Sequence, residues 1–299
     1  MILEEKRTAS AAQRLLEVSN LTVAFEGPQD PVRVVDNVSF HIDRGRVLGM
    51  VGESGSGKSI TSLAIMGLLP PAARVEGSVK FEGKELVGLP QSGMTRIRGD
   101  RIAMVFQDPL SSLNPYYRVG LQIAETYLAH RGGSRKHARA MAIEAMDRVR
   151  IPDPKRRSEQ YPHQFSGGMR QRIMIAIALC CEPELIIADE PTTALDVTVQ
   201  AQILDLLRDV QRETGAGMLF ITHDLAVVSQ VADDMHVLWR GVTVEQGSAE
   251  EVISRPQSDY TQHLLAATPR MDDVITLADP ATIRANVRSR KALSDSPSG

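Results

Sequence analysis

The sequence predicts an α/β protein: a nucleotide-binding core that carries an antiparallel β-subdomain and an inserted α-helical subdomain. Three observations lead there. The stretch Gly52-Glu53-Ser54-Gly55-Ser56-Gly57-Lys58-Ser59 matches the phosphate-binding pattern G-x-x-x-x-G-K-[ST], with a strand before it and a helix after it. Further apolar runs end abruptly on polar residues at Gln107, Asp189-Glu190 and His223. Period-two alternation clusters before residue 90, whereas a helical period governs the region after residue 119.

Taken in order, Leu21, Val23 and Phe25 alternate with polar or small residues, as do Val38, Phe40 and Ile42, and later Val79 and Phe81. This alternation implies half-buried antiparallel strands, separated by turns at Gly27-Pro28-Gln29-Asp30-Pro31, Asp43-Arg44-Gly45 and Gly83-Lys84. Residues 15 to about 90 thus read as a β-rich lobe that delivers the chain into the phosphate loop and out again. Arg46 to Val51 is short, apolar and β-compatible, and Ile60 to Leu69 is helix-compatible until Pro70-Pro71. In the loop between them, Gly52, Gly55 and Gly57 let consecutive backbone N–H groups point inward at phosphate oxygens. Lys58 then brings a cation to the β and γ phosphates, and the Ser59 hydroxyl can ligate Mg²⁺.

Arg101 to Phe106 reads as a buried strand ending at Gln107-Asp108-Pro109, and Ser111-Ser112-Leu113-Asn114-Pro115 is turn chemistry. Helices follow over Val119 to Ala129 and Lys136 to Arg150, the second with an apolar stripe of Ala138, Met141, Ala142, Ala145, Met146 and Val149. Gly132-Gly133 divides them and Pro152-Asp153-Pro154 ends the second. Ser166 is an N-cap for the long helix that runs to Cys181, and Gly167-Gly168 keep side chains off its first turn, leaving N–H groups able to hold an anion. Leu185 to Glu190 is an apolar strand ending in two acids. Successive strand side chains point opposite ways, so Asp189 can hold Mg²⁺ while Glu190 polarises water. Thr198 to Thr214 is an amphipathic helix closed by Gly215, and Met218 to Thr222 is a strand that ends at His223-Asp224. Met235 to Trp239 and Val242 to Glu245, joined at Arg240-Gly241, form a hairpin pattern. From Arg270 onward the pattern weakens into a tail expected to be poorly ordered at its tip.

Composition bounds the function. The chain has 299 residues, 42% hydrophobic and 24% charged, with a formal charge of −3 that supplies no electrostatic reason to expect nucleic acid. No apolar run approaches the ~20 residues that span a bilayer, and Met1 to Arg7 lacks the basic start and apolar core of a signal peptide. A cytosolic protein is expected, and work at a membrane would require a membrane partner. The only cysteines, Cys180 and Cys181, read as small buried hydrophobes.

The ordered set of phosphate loop, Gln107, Ser166-Gly167-Gly168, Asp189-Glu190-Pro191 and His223 resembles the ATP-binding subunits of ABC transporters. The resemblance implies a P-loop NTPase (RecA-like) core at 15–268, a helical subdomain inserted at about 110–168, and a partly flexible C-terminal extension at 269–299. It implies that Phe25 stacks on adenine, that Gly52, Ser54, Gly55, Ser56, Gly57, Lys58 and Ser59 form the Walker A loop, and that Gln107 approaches Mg²⁺ and water and reports to the membrane subunit. It further makes Ser166, Gly167 and Gly168 the signature motif, Asp189 the metal-associated acid, Glu190 the catalytic carboxylate, Ala194-Leu195-Asp196 the D-loop, and His223 the γ-phosphate contact. Lys58, Glu190, His223 and Gln107 are then the catalytic set, and ATP and Mg²⁺ are what the site binds.

Gln107-Asp108-Pro109 with Ser112-Leu113-Asn114-Pro115, Tyr161-Pro162-His163-Gln164 and Pro191 to Thr198 look like the dipeptide, oligopeptide and nickel importer branch. Asp259-Tyr260-Thr261 before Leu264-Leu265-Ala266-Ala267 looks like the start of that branch's extension, but no cysteine follows Cys181, so an iron–sulfur cluster there is not expected. The implied partners are transmembrane permease subunits, a second ATP-binding subunit and, indirectly, an extracytoplasmic substrate-binding protein, with the chain peripheral on the cytoplasmic face of the inner membrane. The rival readings are an exporter ATPase and a soluble, non-transport ABC ATPase acting on a macromolecular partner. A GTPase is disfavoured because no Asn-Lys-x-Asp base-reading motif occurs.

Overall fold

A computed structural model of the chain describes residues 14–27, 30–193 and 195–267. The expected C-terminal extension at 269–299, Ala194 of the expected D-loop, and Pro28-Gln29 of the first turn lie outside the described residues.

The alternating N-terminal segments form a four-stranded antiparallel sheet in the order β2-β1-β4-β5, from β1 (Arg14–Phe25), β2 (Val32–Asp43), β4 (Ala73–Phe81) and β5 (Lys84–Glu85). The apolar runs form a second, six-stranded sheet ordered β10-β9-β3-β8-β7-β6. Its strands are β3 (Val47–Val51), β6 (Ile102–Val105), β7 (Leu185–Asp189), β8 (Gly217–Thr222), β9 (Asp234–Trp239) and β10 (Val242–Ser248). All neighbours in it are parallel except β9 and β10, which pair as a hairpin through Arg240-Gly241, both with positive φ as such a two-residue turn requires.

The parallel strands show no alternation in sequence because both of their faces are buried. Val47, Ala103, Val105, Ile186, Ala188, Met218 and Phe220 face one core, whereas Leu48, Ile102, Met104, Leu185, Ile187, Leu219 and Ile221 face the other. The second core is shared with the antiparallel sheet and with α1 (Lys58–Ile65) and α2 (Gln91–Thr95). The helices α3 (Pro109–Ser112), α4 (Val119–Arg131), α5 (Arg135–Arg148), α6 (Pro154–Arg157), α7 (Gly167–Leu179), α8 (Val197–Thr214), α9 (Leu225–Val231), α10 (Ala249–Ser254) and α11 (Asp259–Ala267) succeed one another along the chain, and the first core is covered mainly by α4, α5, α7 and α8. The stripe on α5 packs there, with Ala138, Ala142, Ala145 and Met146 buried. Cys180 and Cys181 are buried in the same core.

Several boundaries differ from expectation. Helix α1 stops at Ile65 and not at the prolines, because Gly67 N–H donates to Ala64 O and Leu68 N–H to Leu63 O, at 3.0 and 2.9 Å. That pair of bonds is the reverse-turn cap that Gly67 makes possible. Helix α8 begins at Val197 because the Asp196 carboxylate accepts from Val199 N–H at 2.9 Å. Helix α9 was not expected; its seven residues are organised by Asp224, which accepts from Ala226 and Val227 N–H. Among the described residues, no helix is long and apolar enough to cross a membrane.

Candidate active site

Strands β3, β6, β7 and β8 run parallel, so their carboxyl ends lie along one edge of the sheet, where open α/β sheets bind ligands. Each ends in a residue singled out in the sequence: the phosphate loop after β3, Gln107 after β6, Asp189 and Glu190 at β7, and His223 after β8. They border a cavity of about 630 Å³ lined by Glu53, Ser54, Gly55, Gly57, Lys58, Ser59, Gln107, Glu190 and His223, with apolar contributions from Val34, Ile60 and Leu264.

The loop is held tightly from behind. Gly57 has φ +101°, and a Cβ there would stand 2.8 Å from Val34 O, so only glycine fits. Gly241 N–H donates to Ser56 O at 3.0 Å, which ties the loop to the β9–β10 turn. No side chain caps α1, so its first N–H groups face the loop and are free of a competing acceptor. The Ser56 side chain is buried and its hydroxyl makes no hydrogen bond within the described residues.

Lys58 is buried, and its ammonium donates to Gly52 O at 2.7 Å and Glu53 O at 2.8 Å. Burial pushes its pKa down, against the opposing pull of Glu190, Asp189 and Glu53. Across from it, Asp189 accepts from Ser59 Oγ at 3.0 Å and from Ser62 Oγ at 3.5 Å. Burial is the largest influence on Asp189 and raises its pKa, with Ser59 opposing. A lysine wanting less charge and an acid wanting a proton are what a small polar pocket produces before other charges enter it.

Glu190 follows the last residue of β7 and takes a different set of partners from Asp189. Its Oε2 accepts from Gln107 Nε2 at 3.0 Å and from Thr193 Oγ1 at 2.8 Å, and its Oε1 lies 3.4 Å from His223 Nδ1. The Glu190 backbone has φ +47° while its N–H still donates to Ile221 O at 2.9 Å. A non-glycine residue held there is a strained position fixed by its surroundings. The result is a carboxylate buttressed from three sides beside an exposed histidine ring, opposite Lys58 and Ser59.

With this geometry in view, comparisons with known proteins decide the family. The ABC transporter family matches residues 35–193. The oligopeptide transport ATP-binding protein OppD of Haemophilus influenzae is 50% identical over 258 residues, which is 86% of this chain and 80% of that protein. The dipeptide transport ATP-binding protein DppD of Bacillus subtilis is 50% identical over 262 residues, 87% of this chain and 78% of that one. The chain belongs to the ABC transporter family.

Solved ABC cassettes have the same fold. A dimeric ATP-binding cassette in a post-hydrolysis state, bound to ADP and Pi, superposes with a TM-score of 0.70 at 29% identity, covering 78% of this chain and 98% of that one. A cassette of the cbiONQ transporter complex of Clostridium perfringens gives 0.70 at 27% identity, covering 81% and 92%. The chain is an ABC ATPase that binds ATP.

Not every expected site residue reaches the cavity. Phe25 lies at the end of β1, opposite Val32 and Ala73, and packs against the core shared with the antiparallel sheet; the cavity wall on that side is Val34. Ser166 caps α7, its Oγ accepting from Met169 N–H at 3.4 Å, and with Gly167 it is exposed and outside the cavity lining. A Cβ on Gly168 would come within 2.5 Å of a Val199 methyl, so this glycine also lets α7 approach α8. Asp196 is engaged as the cap of α8. Conversely, Ser62, Thr193, Val34 and Leu264 join the site without having been expected there, although Thr193 and Leu264 lie in stretches that resemble the importer branch. Ser62 and Thr193 each sit three residues after a recognised site residue, a spacing that could have flagged them on a helix or turn; Val34 and Leu264 carry no such signal.

Proposed function

We propose that this chain hydrolyses Mg-ATP at a site shared between two cassettes and uses the cycle to drive peptide import through transmembrane permease subunits. The observation that carries the reading is the convergence of Gln107, Thr193 and His223 on the Glu190 carboxylate, facing Lys58 and Ser59 across one cavity.

Residues 15–268 form the ATPase domain in this reading. The donor set at the loop suits magnesium: the Ser59 hydroxyl, the Asp189 carboxylate and the Gln107 amide oxygen are hard oxygen ligands, and such ions take one or two carboxylates and complete their shell with phosphates and water. Bound there, the ion would neutralise phosphate charge. Lys58 exchanges its contacts with Gly52 and Glu53 carbonyls for phosphate oxygens, and the loop N–H groups take the charge that spreads over the transferred group. Glu190, held in one orientation by Gln107 and Thr193, aligns the attacking water and accepts its proton. His223 reaches from β8 to the γ-phosphate oxygens. Ser166 and Gly167, exposed and outside this cavity, serve the nucleotide held by a second cassette.

The named relatives transport oligopeptides and dipeptides, and this supports peptide as the cargo class. Tyr116 and Tyr117 are 84% and 50% exposed and border, with Leu121 and Tyr161, a groove on the helical subdomain. Exposed aromatics in a groove, reached directly from Gln107 through α3, suit a permease contact on the cytoplasmic face of the inner membrane. An extracytoplasmic binding protein would then deliver cargo to the permease.

The test is Glu190→Gln. It keeps shape and the Gln107 contact but removes the base, so ATP should bind as in the parent while turnover falls by about 10²–10⁴. Turnover within a few-fold of the parent would exclude Glu190 as the catalytic carboxylate.

A further inference from the structure

Helix α11 lies far along the chain from the phosphate loop, yet it touches the loop directly. The Tyr260 hydroxyl oxygen accepts from Glu53 N–H at 3.1 Å, at the point where β3 hands over to the loop. Four residues later on the same helix, Leu264 lines the nucleotide cavity. The spacing puts both side chains on one face.

The helix is anchored for this role. The Glu245 carboxylate of β10 accepts from Gln257 N–H at 2.7 Å and Ser258 N–H at 3.1 Å, which fixes the entry to α11. Thr261 is buried, and Tyr260, Leu264 and Leu265 pack against the helix-covered core. The Tyr260 ring lies 5.7 Å from the Trp239 ring, whose other contact is the Arg240 guanidinium at 4.7 Å, and Arg240 belongs to the turn that holds Ser56 through Gly241. The loop is thus gripped at Glu53 by α11 and at Ser56 by the hairpin on which α11 rests. Burial raises the Tyr260 pKa, so the phenol stays protonated and neutral beside the loop.

We infer that α11 is a working part of the nucleotide site: Tyr260 is a positioning residue for the phosphate loop, and Leu264, which lines the same cavity as Val34 and Ile60, forms part of the apolar wall for the base. The inference rests on nucleotide occupying the cavity described above. Val34, Ile60 and Leu264 supply the apolar surface of that cavity, and Phe25 is not in its lining.

The roles separate by ligand. With the full chain and Mg²⁺, ADP and pyrophosphate are titrated by calorimetry, so no hydrolysis intervenes. Leu264→Ala should weaken ADP about fivefold and leave pyrophosphate unchanged, and Leu264→Met should restore ADP binding. Tyr260→Phe keeps the ring on Trp239 but loses the acceptor, and should weaken both ligands by a similar factor, about three- to tenfold, with the thermal midpoint of the unliganded chain unchanged. Tyr260→Phe that binds both ligands like the parent overturns the positioning role. Leu264→Ala that weakens ADP and pyrophosphate equally, or neither, overturns the base wall. Lys58→Ala run alongside separates the premise: if it binds both ligands like the parent, the nucleotide is not in this cavity and the inference falls with it, whereas a defective Lys58→Ala beside inert α11 variants removes only the role of α11.

Discussion

Two helix starts in this chain are suited to an anion, and they are built differently. Helix α1 has no side-chain cap; its N–H groups, the loop and Lys58 close around a cavity that its own strands complete. Helix α7 is capped by the Ser166 hydroxyl, and Ser166 and Gly167 face outward with no phosphate-binding loop of the same chain before them. The first is a site finished within one chain. The second offers a hydroxyl, a few N–H groups and the positive end of a helix dipole, which hold an anion only when something else supplies the rest. On the proposed function, the difference makes one helix start a nearly complete half-site and the other a half-site that depends on a second cassette.

The sharpest way to break that comparison is to damage each start separately. Lys58→Ala removes the cation from the complete half, and Ser166→Arg places bulk and charge on the dependent half. Each alone should lower ATPase turnover in the assembled transporter by about 10²–10³, the scale of losing a transition-state donor. Only Ser166→Arg should retain Mg-ATP binding at its own loop. Where two copies of this chain pair, mixing the variants puts both lesions on one shared site and leaves the other intact, so activity should return. If the companion cassette is a different chain, the lesions are placed one on each. Mixtures that stay inactive while dimerising normally would mean that α7 does not complete the opposite site.

A medium-sized effect sharpens what Gly168 contributes. Gly168→Ala drives a methyl against Val199, a stiff β-branched residue, and should destabilise the chain by about 1–3 kcal/mol in urea unfolding. Adding Val199→Ala should recover most of that stability. Recovery of stability together with ATPase activity makes the glycine a packing residue; recovery of stability alone means the bare helix start is needed for the partner's phosphate.

The smallest effect lies in the scaffold. His236 on β9 is buried against Phe40, with Nε2 2.9 Å from Thr243 Oγ1, and burial holds its pKa down to about 4. An unfolded histidine titrates near ~6.5. Between those values the unfolded chain binds the additional proton, so this contribution to stability is complete above the higher pKa and is lost as pH falls toward the lower one. Urea midpoints measured across that window should decline less in His236→Gln than in the parent, with ATP affinity at neutral pH unchanged. Equal declines would mean that His236 is already charged in the fold.

The family and the fold class were legible in the residues because both depend on local signals. A glycine-rich loop between strand and helix, apolar runs that stop on polar residues, and period-two alternation in β1, β2 and β4 are all readable within a dozen positions. Helix ends were less legible. Pro70-Pro71 suggested a stop that Gly67 had already made, and α8 starts at Val197 because Asp196, expected at a nucleotide through resemblance, also caps the helix with one carboxylate oxygen. Phe25 was placed at adenine by resemblance alone, and whether an aromatic at a strand end turns toward a ligand or a core depends on loop geometry that no local pattern encodes.

By itself the sequence determined which residues could do phosphate chemistry, since the loop, the paired acids and the strand-end histidine are defined by type and spacing along one chain. The tertiary structure decided which of them meet. Parallel pairing of β6, β7 and β8 beside β3 brings Gln107, Glu190 and His223 within hydrogen-bonding or ion-pairing reach although they are far apart in sequence. It decided as well that Val34 and Leu264 wall the cavity and that Tyr260 grips Glu53, because packing links residues by surface and not by sequence separation. A chain's local pattern constrains its own turn of helix or strand; contacts across two hundred residues arise only when burial of the shared core fixes how those elements stack.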